Sequence, residues 1–166
     1  MKLFLVRHAH ALDGAENPER PLSANGRADT AKLAAFFRAN RAFTKAVIIW
    51  HSPLLRSRET AELLSPAFHA DAHLVETPGL EPGDNPADTA DRLVGLSTDL
   101  VIVGHEPHLG ALAVQLVRGK PGTNLWNLRK GAVIALEPEN KIRKKTGRRR
   151  WRVSWHFSPE LLPSSA

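Results

Sequence analysis

The sequence contains no cysteine among its 166 residues. Disulfide bridges, thiolate nucleophiles and cysteine metal ligands are therefore excluded as sources of stability or chemistry. Long hydrophobic runs are also missing, since none approaches the ~18 residues that a membrane-spanning helix needs. The apolar run after Lys2 is too short for the core of a secretory signal peptide. We therefore expect a cytoplasmic protein with no membrane partner.

A glycine-rich phosphate loop of the Walker type is absent as well, which argues against a nucleoside-triphosphate site of that kind.

Basic charge is present but unevenly spread along the sequence. The net charge is +6, yet residues 141–152 (KIRKKTGRRRWR) contain eight Lys or Arg and no acid. The remaining 15 basic residues face 17 acidic ones. We interpret the segment as a solvated hairpin loop that protects a sheet edge. A docking patch for an acidic protein is the alternative, and nucleic acid is not expected.

Three apolar segments, each as long as a buried strand, end in polar residues that include histidine. LFLV at residues 3–6 runs into RHAH, AVIIW at 46–50 runs into HSP, and LVIV at 100–103 runs into GHEP. Ligands of open α/β sheets bind outside the carboxyl ends of the strands. The three segments therefore predict one site at a single edge of a sheet.

Segments with helical features alternate with these strands. Ser23 is predicted to cap a helix that runs to about Asn40, and Ser52 a second helix that starts at Pro53. Two more helices are predicted to begin near residues 85 and 107. This alternation is typical of an α/β fold.

The expected architecture is a three-layer α/β/α sandwich with a mostly parallel central sheet. Residues 131–137 and 150–157 are predicted to form a C-terminal edge hairpin, because apolar and polar residues alternate in the second of them. Residues 1–158 are expected to form a single domain, and 159–166 a loosely ordered tail.

Four charged or basic side chains converge if the three strands are neighbours: Arg7, His8, Arg56 and His105. Two guanidiniums, two imidazoles and a helix N-terminus suit a tetrahedral dianion such as a phosphoryl group. Without cysteine, a neutral histidine is the strongest nitrogen nucleophile available. His8 can attack phosphorus and form a covalent phosphohistidine, while the arginines hold the equatorial oxygens.

A metal-dependent hydrolase is a rival interpretation. Its ligands would be His8, His10, His105 and His108. Two arginines beside the metal would disfavour it, and no acidic residue lies between positions 3 and 12. Under the phosphoryl interpretation, His10 either lines the pocket or covers it.

At four places the chain resembles the histidine phosphatase superfamily, the phosphoglycerate mutase-like proteins. LVRHAHA is similar to the Arg-His-Gly motif that opens its members, with Ala9 in place of the glycine. NPERPLSANGRADTAKLAAFF, HSPLLRSRETAELL and VIVGHEPHL resemble three later motifs, in the family's order. The resemblance extends from Leu3 to about Leu116, and the small SixA-type phosphohistidine phosphatases are the subgroup most resembled.

The resemblance implies a role for each residue that matches a motif. His8 would be the phospho-accepting nucleophile, Arg7, Arg56 and His105 would bind the phosphoryl group, and no metal or organic cofactor would take part. Arg20 matches a family arginine near the pocket mouth. Other branches carry a carboxylic acid in the loop after the third strand. Glu81 and Asp84 occupy the comparable loop here, either as turn residues or as substrate contacts.

The implied function is a cofactor-independent phosphatase that works through a phosphohistidine. Its expected partner is a phosphorylated protein of the histidine-phosphotransfer type, because the loops between the motifs leave few residues for a lid. A phosphatase for a small phosphate ester is the alternative within the same class. A catalytically weak phosphoprotein- or RNA-binding module that uses the basic segment 141–152 is the alternative from another class.

Overall fold

The computed structural model describes residues 1–43, 48–68, 72–123, 125–144 and 147–162. Its centre is a sheet of six strands: β1 (Leu3–Arg7), β2 (Ile48–His51), β3 (His73–Glu76), β4 (Leu100–Gly104), β5 (Val133–Ile142) and β6 (Arg149–Phe157). The strand order is β3-β2-β4-β1-β5-β6. The first four strands pair in parallel, whereas β5 and β6 are antiparallel. The predicted mostly parallel sheet with a C-terminal edge hairpin is confirmed.

Four α-helices connect or flank these strands: α1 (Ala24–Ala39), α2 (Leu55–Leu64), α3 (Pro86–Arg92) and α4 (His108–Arg118). Short 3₁₀ helices lie at Ser65–Ala67 and Pro159–Leu161. Within the described residues, every helix is too short or too polar to cross a membrane.

The central strands bury both faces, so the sheet has a separate hydrophobic core on each side. Leu3 and Leu5 of β1 pack in one core with side chains of α3 and α4. Phe4 and Val6 point the other way and pack with side chains of α1 and α2. This alternation follows from the two-residue period of a strand. It produces the three layers that the sequence predicts.

The start of α1 is fixed by two residues of the LSANG stretch. The Ser23 Oγ accepts a hydrogen bond from the Gly26 N–H at 3.1 Å, as an N-cap should. Gly26 lies against the backbone of His10, and a Cβ at position 26 would come within 2.0 Å of the His10 carbonyl oxygen. The glycine therefore lets the chain after β1 pack directly on the first turn of α1.

Several element boundaries differ from those that the sequence indicates. Helix α2 begins at Leu55 and not at Pro53, because Ser52 accepts a hydrogen bond from the Leu54 N–H and closes a turn ahead of the helix. Helix α3 ends at Arg92, before Gly95, and both hairpin strands extend further toward the basic turn than expected. Residues 46–47, predicted as the start of the second strand, lie outside the described residues. Residues 69–71, which the sequence indicates as the start of a short strand over 69–75, lie outside them as well.

The segment expected to be a loosely ordered tail begins with the 3₁₀ helix Pro159–Leu161. Glu160 in this helix forms an ion pair with Arg129. Residues 163–166 lie outside the described part of the chain.

Candidate active site

The carboxyl ends of β1, β4 and β2 lie side by side, because β4 pairs in parallel with both of the other strands. The His8 N–H donates to the Gly104 carbonyl at 2.9 Å, and the Ser52 N–H donates to the Val103 carbonyl at 3.1 Å. These bonds continue the strand pairing one residue beyond each strand end. The sequence-predicted convergence of RHAH, HSP and GHEP is therefore present in the fold.

His8 is held in one tautomer. Its Nδ1 lies 2.7 Å from the Ala9 carbonyl oxygen, which can only accept, so Nδ1 carries the proton. The lone pair is then on Nε2. Burial lowers the pKa of His8 to about 3; the bond to Ala9 opposes this shift, and the positive charges of Arg56 and Arg7 add to it. The imidazole is neutral at physiological pH, and its Nε2 carries an unprotonated lone pair.

His105 lies beside His8, with 4.9 Å between the ring centroids. Burial, together with the neighbouring His8 and Arg56, lowers the pKa of His105 to about 3. The His105 Nε2 lies 2.9 Å from the Ser52 Oγ. The Ser52 Oγ accepts from the Leu54 N–H and keeps its own proton, which it can donate to Nε2. In the tautomer that accepts this bond, the His105 proton is on Nδ1, a buried atom with no hydrogen-bond partner among the described residues.

Arg7, the last residue of β1, is anchored by one nitrogen. Its Nη1 donates to the Leu128 carbonyl at 2.7 Å, while its buried Nε has no partner within the described part of the chain.

Glu106 lies within electrostatic reach of Arg7. Burial raises the pKa of Glu106, although Arg7 and a hydrogen bond from the Gly110 backbone oppose the shift. This half-buried carboxyl next to His105 was missed by sequence reasoning, which treated GHEP only as a histidine motif.

Arg56 lies in the first turn of α2, as predicted, and is partly buried. Burial and the positive charge of Arg20 lower the pKa of Arg56, whereas Glu81 raises it. Arg20 has a backbone φ of 53° and donates from Nε to the Leu12 carbonyl at 3.1 Å. Both Arg20 and Glu81 therefore lie within electrostatic reach of Arg56. The place of Arg20 at the pocket mouth stays a prediction.

Lys130 is a further cation that the sequence did not identify. It is exposed, yet burial and the charges of Arg7 and Arg20 lower its pKa, and its own charge acts on His8. It belongs to the segment before β5, where the Gly131 N–H donates to the Arg7 carbonyl at 3.0 Å. No motif marks this segment, so only the antiparallel pairing of β5 with β1 reveals its position.

Thr60 of α2 joins two parts of the site. Its Oγ1 accepts from the Ala9 N–H at 3.1 Å and donates to the Arg56 carbonyl at 2.7 Å. Glu59, the residue before Thr60, accepts from the Leu22 N–H at 2.6 Å and forms an ion pair with Arg27. The RETA stretch therefore fixes α2 against the chain that follows β1.

The remaining predicted residues each have a hydrogen-bond partner outside the four central residues Arg7, His8, Arg56 and His105. His10 is exposed and its Nδ1 lies 2.9 Å from the Ser23 Oγ. His108 is buried, with its Nε2 3.2 Å from the Thr89 Oγ1. Asp84 accepts from the Glu81 N–H at 2.7 Å and closes its own turn.

Among the described residues, no three histidine, cysteine or acidic side chains are grouped so that they could hold a metal ion. The four histidines of the metal hypothesis do not form one cluster.

The basic hairpin lies at the other end of the sheet. Strand β5 starts beside the catalytic edge and runs antiparallel to β1, so its turn lies beyond the amino ends of the parallel strands. Most of the described arginines there have partners: Arg148 with Asp91, Arg150 with Glu139, Arg152 with Glu137, and Arg143 with the Leu116 and Val117 carbonyls. Lys145 lies outside the described residues. An acidic partner at this loop stays a hypothesis.

Comparisons with known proteins agree with this geometry. A model of the Histidine phosphatase superfamily (branch 1) matches residues 3–82. An uncharacterised protein of Picosynechococcus sp. is 33% identical over 143 residues, covering 82% of this chain and 84% of the relative. The phosphohistidine phosphatase SixA of Escherichia coli K12 is 26% identical over 125 residues, covering 72% of this chain and 76% of that protein.

A solved structure with the same fold is that of the protein histidine phosphatase SixA complexed with tungstate. The TM-score is 0.74 at 22% sequence identity, and the match covers 96% of this chain and 97% of that one. Family model, relatives and fold agree: the chain belongs to the histidine phosphatase superfamily, as a phosphatase with the SixA-like fold.

Proposed function

We propose that the protein is a cofactor-independent phosphatase that acts through a covalent phosphohistidine on His8 and removes phosphoryl groups from phosphohistidine on a partner protein. The observation that carries this proposal is the state of His8. It is a buried, neutral imidazole whose Nδ1–H is bound to Ala9, so that Nε2 is free to attack. A histidine in this state needs no separate base to become a nucleophile.

The donors around His8 support a phosphoryl group as the electrophile. The Arg7 Nε and the His105 Nδ1 are buried and have no hydrogen-bond partner within the described residues. Buried donors are nearly always paired in native structures. Phosphoryl oxygens would accept from both atoms, while Arg56 at the start of α2 would bind a further oxygen. The solved SixA relative holds tungstate, a tetrahedral oxyanion of the same shape.

The reaction would proceed in two displacements. The lone pair of the His8 Nε2 attacks phosphorus, the phosphorus–nitrogen bond of the substrate breaks, and the leaving imidazole takes a proton from solvent. Water then attacks the phosphohistidine, the phosphorus–Nε2 bond breaks, and inorganic phosphate leaves. In both steps the cations stabilise the charge that develops on the equatorial oxygens.

The surroundings of the pocket support a protein substrate. Asp84 closes a tight turn with Glu81, and Glu59 and Arg27 tie the chain before α1 to α2. These contacts keep the neighbouring segments close to the body of the fold. A side chain that projects from another protein can then reach His8. SixA, a relative at 26% identity, is a phosphohistidine phosphatase by name.

A substrate panel tests the proposal. The kcat/KM of the native protein would be measured, with EDTA present, on a phosphohistidine protein, a phosphoserine peptide and small phosphate esters. We expect the phosphohistidine protein to be the best substrate by at least about tenfold. Higher kcat/KM on a small ester would overturn the substrate assignment but not the nucleophile. Loss of activity in EDTA that zinc restores would overturn the cofactor-independent mechanism.

A small phosphate ester is the second candidate, and Glu81 is the observation that favours it. An alkoxide leaving group needs a proton more than imidazole does. The Glu81 carboxyl is exposed and lies close enough to Arg56 to affect its pKa. If esters are the substrates, Glu81→Gln should lower their kcat by about 10²-fold or more. The matched variant Glu76→Gln, at the end of β3, should leave it unchanged. An equal loss in the two variants, or none in either, would remove this candidate.

A further inference from the structure

A cavity of about 360 Å³ lies at the end of the sheet opposite to His8. Its wall includes Met1 and Ser97, which precede β1 and β4, and it continues between the ends of α3 and α4 and the β5–β6 hairpin. The volume falls within the range of roughly 300–1,000 Å³ that is typical of small-molecule sites. None of the residues assigned to the phosphatase reaction lines it.

The cavity has an apolar wall that opens to solvent. Leu93 and Trp151 belong to the buried core and form part of the wall. At the mouth, Val94, Leu96 and Ile142 are 64%, 37% and 65% exposed. These are three of the seven large hydrophobic side chains that are exposed in the described part of the chain. Exposed apolar groups that gather around a concave surface mark an interaction site.

A polar group inside the cavity has no partner. Gln115 of α4 lines the cavity and is 8% exposed, and its Oε1 makes no hydrogen bond to any described residue. Buried amides are hydrogen-bonded in the great majority of native structures. Because an amide oxygen accepts hydrogen bonds, the Oε1 can bind a hydroxyl or an N–H of a ligand.

The charge at the mouth is positive. Arg143, Arg148 and Arg149 line the cavity, and no acidic side chain does so in the described residues. Arg143 binds the end of α4 and Arg148 binds Asp91. The Arg149 guanidinium has neither an ion pair nor a hydrogen bond to the described part of the chain. Its neighbour Arg150 lies outside the cavity and pairs with Glu139. One guanidinium is thus available beside an apolar wall.

We propose that this cavity binds a small amphipathic anion, with an apolar body against Trp151 and Leu93 and a carboxylate, sulfonate or phosphate head at Arg149. Gln115 supplies the internal hydrogen bond. The site is separate from the catalytic pocket, because the sheet and the length of α4 lie between them. A second copy of the chain or a partner's peptide would cover the same exposed residues, and the test below separates these occupants.

The probe is anilinonaphthalene sulfonate, which combines an aromatic body with one anionic group. Its fluorescence would be titrated against the native protein, Arg149→Gln and the matched control Arg150→Gln. We expect saturable binding to one site, about tenfold weaker in Arg149→Gln and unchanged in Arg150→Gln. N-phenylnaphthylamine, the uncharged counterpart, should bind all three proteins equally.

Two further measurements show where on the protein the probe binds. Inorganic phosphate at the lowest concentration that saturates the catalytic pocket should not displace the probe, because phosphate has no apolar body to bind against Trp151 and Leu93. Backbone amide shifts should change at Leu93, Gln115 and Trp151 and not at His8. Absent saturable binding, equal weakening in the two arginine variants, or displacement by phosphate would each overturn the proposal. Self-association of the native protein that excludes the probe would assign the face to a second copy of the chain and overturn it as well.

Discussion

The two ends of the sheet both carry clusters of basic side chains, but they use them differently. At the turn of the β5–β6 hairpin, Arg148, Arg150 and Arg152 each pair with a carboxylate. At the catalytic end, Arg7, Arg20, Arg56 and Lys130 lie close enough to affect one another or His8. None of these four forms a salt bridge within the described residues.

The difference shows why net charge is a poor guide to the site. The hairpin supplies the high isoelectric point, yet acids of the fold itself neutralise most of its arginines. The catalytic end has fewer cations and leaves them without salt bridges, with two neutral histidines between them. Glu81 and Glu106 act on Arg56 and Arg7, yet the four cations also repel one another, and an anion that joins them lowers the free energy of the cluster. We therefore expect an anion to bind at the catalytic end, although the sequence shows its densest positive charge at the hairpin.

The largest effect is expected from removing the nucleophile. His8→Ala should lower kcat by on the order of 10⁴-fold or more, because the cations alone cannot form the covalent intermediate. Steady-state assays with the preferred substrate measure this. His51→Ala is the matched control, since His51 is also buried at a strand end and, like His8, has its Nδ1 bound to the carbonyl of the next residue. Its kcat should stay within about tenfold of the native value. A His8→Ala enzyme with native activity would rule out His8 as the nucleophile.

Removal of one catalytic cation should have the next largest effect. Arg56→Ala should lower kcat/KM by about 10²–10³-fold, as expected when a donor to developing charge is lost. Arg58→Ala is the control on the same helix, where Arg58 is exposed and lies 3.8 Å from the Glu62 carboxylate. If both variants lose activity equally, the distinction between unpaired and paired cations fails.

The fold and the core of the site follow from patterns that are local in sequence. The strand ends at Arg7, Ser52 and His105 are predictable because an apolar run and the polar residues after it lie next to each other in the chain. The Ser23 cap of α1 is predictable for the same reason. Strand pairing then brings the three ends together.

The features of the site that the sequence did not predict depend on contacts between residues far apart in the chain. Lys130 reaches the site only through the pairing of β5 with β1. The role of Ser52 as the partner of His105 depends on a contact across 53 residues, and the sequence suggested only a helix cap. The pairing of the hairpin arginines depends on which acids face them across the strands. Side-chain direction at these places is set by tertiary packing and not by local pattern.

The two neutral histidines also make a prediction for stability. His8 and His105 have folded pKa values of about 3, below the ordinary value of 6.5. Between pH 6.5 and about 3 the unfolded chain binds protons that the folded chain does not. Stability is therefore full above about pH 6.5 and falls as the pH falls.

Denaturant titrations should show the free energy of unfolding dropping between pH 7 and 5, by on the order of 1–2 kcal/mol for each histidine. His105→Asn should reduce this pH dependence, and His73→Asn, an exposed residue of β3, should not. An unchanged slope in His105→Asn would mean that His105 is not held neutral in the folded protein.

The smallest effect is expected at the hairpin. Arg152→Ala removes an exposed partner of Glu137 at 3.1 Å. Exposed ion pairs are worth about 0–1 kcal/mol, so the free energy of unfolding should change by no more than that. The kcat/KM should equal that of the native enzyme when a small phosphate ester is the substrate. A loss of tenfold or more would show that the hairpin takes part in the reaction.

The central claim is that a phosphoryl group is transferred from the substrate to His8. This step is expected at the end of the sheet whose cations form no salt bridges within the described residues. The most direct measurement is a rapid alkaline quench during turnover of a substrate with a labelled phosphoryl group, followed by mapping of the label on the protein. The account predicts one acid-labile, alkali-stable label on His8, absent from His8→Ala and present in His51→Ala. Label on another residue, or full turnover of native enzyme with no label on the protein, would contradict it.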